Sequence, residues 1–155
     1  MSARDVTDWL DPRLARAAAL ARRESAPEPR AEGHLSLGID LGTSDIVSML
    51  VDDDARPVAV CLDWADVVRD GVVWDFFGAT RIVREQIERL RDRTGGALPD
   101  RATTSFPPGT DPRISVNVIE AAGLSVAGVI DEPSSVAALL RLDRAAVVDI
   151  GGGTT

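Results

Sequence analysis

The stretch GIDLGTSD, residues 38–45, carries an apolar run into an acid and then turns on a glycine. LSLGIDL before the turn and DIVSMLVDD after it both read as strands, so GTS joins a hairpin. The turn has the chemistry of an anion site. Gly42 lets the backbone approach an anion closely, and Thr43 and Ser44 add hydroxyl and N–H donors. Asp40 cannot hold a phosphate itself, because like charges repel. It can hold a water of a magnesium ion that rides on the phosphates.

The same plan recurs in VVDIGGGTT, residues 147–155. Asp149 stands where Asp40 does, Gly151, Gly152 and Gly153 supply bare amides, and Thr154 supplies a hydroxyl. One D-x-G turn is a common tight turn. Two copies, each on an apolar run ending in Asp, suggest two hairpins that clamp one phosphate tail from opposite sides. A third element, VIDEPSSVAALLRLD at 129–143, puts Glu132 between a strand and a helix start. An acid followed by Pro is good helix-start grammar. The same carboxylate could orient a water for attack on a terminal phosphate. Spacing alone favours the first reading.

Working outward from the hairpin, RPVAVCLD reads as a third strand, with DDDAR as its turn. WADVVRDGVVWDF reads as a short strand or extended loop. Residues 79–94 read as an amphipathic helix on Ile82, Val83, Ile87 and Leu90, stopped by Gly95 and Gly96. ATTSF is a strand. Asp111 and Pro112 start a helix that runs to about Ala122. VAGVI is a strand, a helix opened by Pro133 follows, and AAVVDI is a last strand. Upstream, Asp11 as cap and Pro12 at the first helical position start a helix over RLARAAALARR. Its apolar face holds Leu14, Ala17, Ala18 and Ala21. ESAPEPRAEGH is a linker. The expected domains are helix 1–24, linker 25–34, a first lobe with its crossover helix at 35–143, and the opening of a second lobe at 144–155. The order βββαβαβαβ predicts a mixed sheet with helices on its faces.

Composition narrows the chemistry. The 155 residues suffice for a domain with a real core, and 45% are hydrophobic. A net charge of −8 argues against nucleic acid or an anionic membrane as partner. Every basic residue is Arg, which excludes a catalytic lysine. Cys61, the single cysteine, sits in VAVCL and reads as a buried small hydrophobe. His34, the single histidine, supports neither a histidine zinc site nor a Ser-His-Asp triad. No apolar run is long enough to span a bilayer and MSARDVTDWLDPR has acids where a signal peptide needs an apolar core, so the expected location is cytoplasmic.

Taken together, GIDLGTSD, VIDEPSSVAALL and VVDIGGGTT resemble the first phosphate motif, first connecting helix and second phosphate motif of the actin-like ATPase superfamily. PVAVCLDWADVVRDGVVWDFFGA and TSFPPGTDPRISVNVIEAAGL are very similar to the EutJ family, the chaperone-like proteins of ethanolamine utilisation. The resemblance runs from about Trp9 to Thr155. It implies an α/β ribonuclease-H-like lobe and, in a complete protein, ATP and magnesium in a cleft between two halves. It implies that Asp40 and Asp149 hold magnesium through water and that Gly42, Thr43, Ser44 and Gly151 to Thr154 hold phosphates. It puts Glu132 where the family has a water-orienting acid.

Two departures count against fast hydrolysis. Chaperones of this superfamily use a lysine on the first lobe, and Asp45 stands where they have an uncharged polar residue. The resemblance also implies that residues 144–155 open a second lobe whose remainder, the adenosine motif included, is missing, as in a truncated product or fragment. This chain alone is then expected to bind ATP weakly or not at all, with AAVVDI as a strand lacking a sheet. The competing reading is a non-catalytic interaction protein of the ethanolamine microcompartment with a degenerate nucleotide site. Partners under either reading are ethanolamine-utilisation enzymes or the microcompartment shell. The first of those helices also resembles the peptides that load enzymes into such compartments, against a helix that simply packs on its own domain.

Overall fold

The computed structural model describes residues 3–23, 33–69, 72–96, 98–142, 146–148 and 150. The hairpin predicted around GTS forms. Strand β1 (Ser36–Leu41) pairs antiparallel with β2 (Asp45–Val51), which pairs antiparallel with β3 (Pro57–Trp64). In the β2–β3 turn the Asp52 carboxylate accepts the backbone N–H groups of Asp54 and Arg56, each at 2.9 Å. Ala55 there takes a left-handed φ of 56°. Within WADVVRDGVVWDF lie two-residue strands β4 (Val68–Arg69) and β5 (Val72–Val73), which pair with each other.

Helix α2 (Phe76–Arg93) crosses to β6 (Arg101–Phe106), and α3 (Arg113–Ala121) crosses to β7 (Ser125–Asp131), before α4 (Glu132–Leu139). The sheet order is β3-β2-β1-β6-β7, with β1, β6 and β7 mutually parallel. Two antiparallel pairings in succession also make β3 parallel to β1. Parallel neighbours need crossovers, and α2 and α3 are those crossovers. Ile39, Ile46 and Leu50 from the sheet, Val83 and Leu90 from α2, and Val118 and Ile119 from α3 are buried together in one core.

The continuous burial of Pro57 to Cys61 has a simple cause. Helix α2 lies against β3, and so does α1 (Ala3–Ala21), so this strand is packed from two helices rather than alternating in and out.

Several boundaries differ from the sequence reading. Pro12 does not start α1. The helix begins at Ala3, carries Asp5 in its first turn, and continues through Pro12. A mid-helix proline forfeits one backbone bond and crowds the preceding turn. Anchoring of the C-terminal half to β3 offsets that cost. Leu20 is 2% exposed, Arg16 Nε donates to the Pro57 carbonyl at 2.6 Å, and an Arg13 amine donates to the Asp54 carbonyl at 3.0 Å. The inward stripe is therefore Arg13, Arg16, Ala17 and Leu20, one residue out of phase with the expected face. Leu14 is 56% exposed. Arginine can occupy an inward position because its stem packs while its head reaches backbone oxygens.

Helix α2 starts one turn early, because Asp75 caps it by accepting the Gly78 N–H at 2.9 Å. Gly95 and Gly96 end it at φ of 63° and 95°, as expected. Helix α3 starts at Arg113 after Pro112, with no side-chain cap. Asp111 instead binds the N–H and guanidinium of Arg113. Helix α4 starts at Glu132, one residue before the proline, because Asp131 caps it. The strand expected over AAVVDI is absent among the described residues there, Ala146 to Val148 and Ile150. Val148 is 73% and Ile150 78% exposed, and neither lies in a strand.

Candidate functional site

Because β1, β6 and β7 run parallel, their carboxyl ends share one edge of the sheet. This is where open α/β sheets place ligands. Asp40, next to last in β1, lies on the face opposite buried Ile39. Ser105 holds the matching place near the end of β6, and its hydroxyl donates a hydrogen bond to the Asp40 carboxylate. Asp131 pairs with Phe106 at the end of β7, and Glu132 follows as the first residue of α4. Asp40, Ser105 and Glu132 are thereby brought to one edge.

The glycine turn sits beside Asp40. A Cβ on Gly42 would lie 2.9 Å from the Asp45 carbonyl oxygen, closer than real contacts allow. The need for glycine therefore arises within the hairpin itself, whatever binds outside it. The same position is 3.6 Å from Asp40 Oδ2 and 3.7 Å from Asp45 Oδ1. Asp45 does not face away from the turn, and two carboxylates flank it. Thr43 is half-buried and Ser44 exposed. The Ser44 carbonyl accepts the Ala65 N–H at 3.0 Å, which ties the turn to the end of β3.

A buried polar network holds this corner from below. Gln86 of α2 is fully buried. Its amide oxygen accepts the Ser48 hydroxyl at 2.6 Å, and its nitrogen donates to the Ile46 carbonyl at 2.8 Å and to Asp63 Oδ2 at 2.7 Å. Arg89 pairs with the same Asp63. The residue directly after Asp45 is thus fixed to a helix. Burial pushes the Asp63 carboxyl up, but the bonds from Arg89 and Gln86 outweigh it and hold it below the ordinary range. At the third strand end, the Ser134 N–H donates to Asp131 at 2.9 Å, and hydrogen bonding from the Ser134 side chain, then from its backbone, holds that carboxyl low as well. Cys61 is 2% exposed, and burial pushes its thiol up despite Arg93 and Arg89 nearby, which fits a packed hydrophobe.

Sequence reasoning missed Ser105. The hydroxyl-rich ATTS was visible, but only the parallel β1–β6 register puts Ser105 beside Asp40. Asp149, Gly151, Gly152, Gly153 and Thr154 lie outside the described residues.

Among the described residues no three His, Cys, Asp or Glu side chains cluster as a metal cage. Asp40 held by Ser105, with Asp45 close by, instead suits a hydrated divalent cation that takes its other ligands from water and phosphate. Among the described residues no helix is long and apolar enough to cross a membrane.

This sheet, with its three hairpin strands, two crossovers and acid-and-glycine edge, defines a lobe of the ribonuclease-H-like, actin-like ATPase fold. No protein-family model matches the chain. It is 62% identical over 147 residues to ethanolamine utilization protein EutJ of Escherichia coli (strain K12), covering 95% of this chain and 51% of that protein. It is 60% identical over 153 residues to EutJ of Salmonella typhimurium, covering 99% and 53%. The crystal structure of EutJ from Carboxydothermus hydrogenoformans superposes with a TM-score of 0.83 at 38% identity, over 96% of this chain and 54% of that one. Over the half that it matches, the chain is similar to these EutJ proteins. It spans about half the length of the curated relatives it matches.

Proposed function

We propose that the chain is the first phosphate-binding half of a chaperone-like, ATP-binding protein of ethanolamine utilisation. The observation that carries the reading is Asp40, oriented by Ser105, beside the Gly42 turn at the carboxyl edge of parallel strands. Thr43 and Ser44 would offer donors to the phosphates, and Asp40 would hold a water of the accompanying magnesium ion. That ion, when bound, neutralises phosphate charge. Asp149 and Gly151 to Thr154 would close on the phosphates from the second half. Glu132 would orient a water for hydrolysis. The chain by itself is expected to bind ATP weakly, because the adenosine pocket belongs to the other half of such a clamp.

Calorimetric titration of the complete protein with magnesium-ATP tests this. Asp40→Ala should weaken binding at least about tenfold, roughly 1.4 kcal/mol. Unchanged affinity would sink the proposal. Glu132→Gln should leave binding intact and abolish turnover.

The position of Asp45 supports a second reading, a non-catalytic interaction protein of the ethanolamine microcompartment. A second carboxylate against Gly42 raises the negative charge where phosphate would sit, and no lysine is present to offset it. Absence of turnover in the complete wild-type protein would favour this reading. Under either reading the chain works in the cytoplasm or within the compartment, with utilisation enzymes or shell proteins as partners. Use of α1 as a loading peptide would require it to leave β3, where Leu20, Arg13 and Arg16 hold it.

A further inference from the structure

From the last residue of β3 to the first turn of α2 the chain exposes large apolar side chains that a finished surface would cover. Trp64 is 78% exposed, Trp74 55% and Phe77 83%. Their backbone is not loose. Trp64 ends β3 in register with Asp45, and the Trp74 N–H donates to the Val67 carbonyl at 3.0 Å. Arg69 lies 4.4 Å over the Trp74 ring and is itself paired with Asp66. Phe77 meets the inward-packed Phe76 edge to face at 5.8 Å, in the first turn of a capped helix. Rigidly presented aromatics of this kind are what the centres of protein interfaces are built from.

The fold puts these residues at the edge that carries the candidate site. Because β3 runs parallel to β1, Trp64 emerges at the same end as Asp40 and the glycine turn. Helix α2 then runs back along β3, with Gln86 and Arg89 at Asp63 and Arg93 at the Val60 carbonyl. Phe77, at its start, is therefore at that end as well.

We propose that Trp64, Trp74 and Phe77 form the docking surface for the second half of the polypeptide, the half that the longer relatives possess and this chain does not span. A second half that reached the glycine turn would come to the same end of the sheet as this surface. Two copies of this chain are a poor alternative. Asp45 and Asp75 lie beside the aromatics, the chain carries −8 overall, and face-to-face docking would oppose like charges. The proposal rests on the reading of the chain as one half of a two-lobed protein, and is independent of whether ATP binds.

Hydroxyl-radical footprinting read by mass spectrometry tests it, comparing residues 1–155 with the complete polypeptide, each with and without magnesium-ATP. Oxidation of Trp64 and Phe77 should be lost in the complete protein, with or without nucleotide, while oxidation of Leu14 stays unchanged. Equal oxidation in both proteins under both conditions would overturn the proposal. Protection of residues 1–155 alone that grows with protein concentration would assign the surface to a second copy and overturn it equally. Protection in a complete protein that binds no ATP would uphold docking while refuting the nucleotide reading.

Discussion

Asp63 shows how one side chain can tie the site to the fold. Its carboxylate is shared between Gln86, which also holds the Ile46 carbonyl, and Arg89. Those bonds hold the acid below its ordinary range against the opposing push of burial. A carboxyl depressed in the folded state contributes stability above its unfolded value of about 3.9, and that stability is lost as pH falls through the folded value. Asp63→Asn should therefore lower the thermal midpoint at pH 7, and the gap to wild type should close as pH falls below about 4. A gap that stays constant from pH 7 to pH 3 would show that the charge contributes nothing. The network itself was hidden in the sequence. Gln86 lies on the helix stripe between Val83 and Ile87, where an apolar residue would ordinarily sit.

At the scale of an element, the start of α2 is set by a close pair. Asp75 caps the helix through the Gly78 N–H, and a Cβ on Gly78 would lie 2.2 Å from Asp75 Oδ2. Asp75→Ala should cost about 1 kcal/mol of unfolding free energy. Gly78→Ala should also destabilise, because it displaces the capping carboxylate. In an Asp75→Ala background the carboxylate clash is gone and only a tight 3.1 Å approach to a Val67 methyl remains, so the intrinsic helix preference of alanine over glycine, about 1 kcal/mol, offsets more of the loss. A double-mutant cycle by urea denaturation should thus show strong coupling, and additive losses would refute the arrangement. A similar competition explains the displaced helix starts. Asp11-Pro12 has the grammar of a helix start, yet tertiary anchoring of α1 carries the helix past it. Asp75 and Asp131 cap their helices without the apolar periodicity announcing either start.

For the whole molecule, the question is whether α1 belongs to the domain. Leu20 is 2% exposed and the helix covers β3. Leu20→Ala should cost about 3 kcal/mol, as for a buried leucine, measured by urea unfolding. Limited proteolysis of the same variant should cut within residues 1–23. A loss below about 0.5 kcal/mol would mean that α1 is an appendage. The two sides of β3 have different owners, α1 on one and α2 on the other. That layering is why the run from Pro57 to Cys61 is apolar without alternation.

Period and turn chemistry, which are local, were legible in the sequence. The alternating runs at 36–51, the stripe of α2, the stops at Gly95 and Gly96 and the Asp40–Gly42 turn follow from neighbours a few residues apart. The resemblance carried by GIDLGTSD, VIDEPSSVAALL and VVDIGGGTT together implied the class of fold. Pairings across long separations depended on the tertiary structure. The Ser105 bond to Asp40 spans 65 residues and exists only because β1 and β6 lie parallel and adjacent. The rotation of α1 that buries Leu20 and exposes Leu14 was set by β3, because a helix rich in alanine and arginine has no dominant apolar stripe of its own. Asp45 turned toward Gly42 through the geometry of the hairpin, which residue type alone does not dictate.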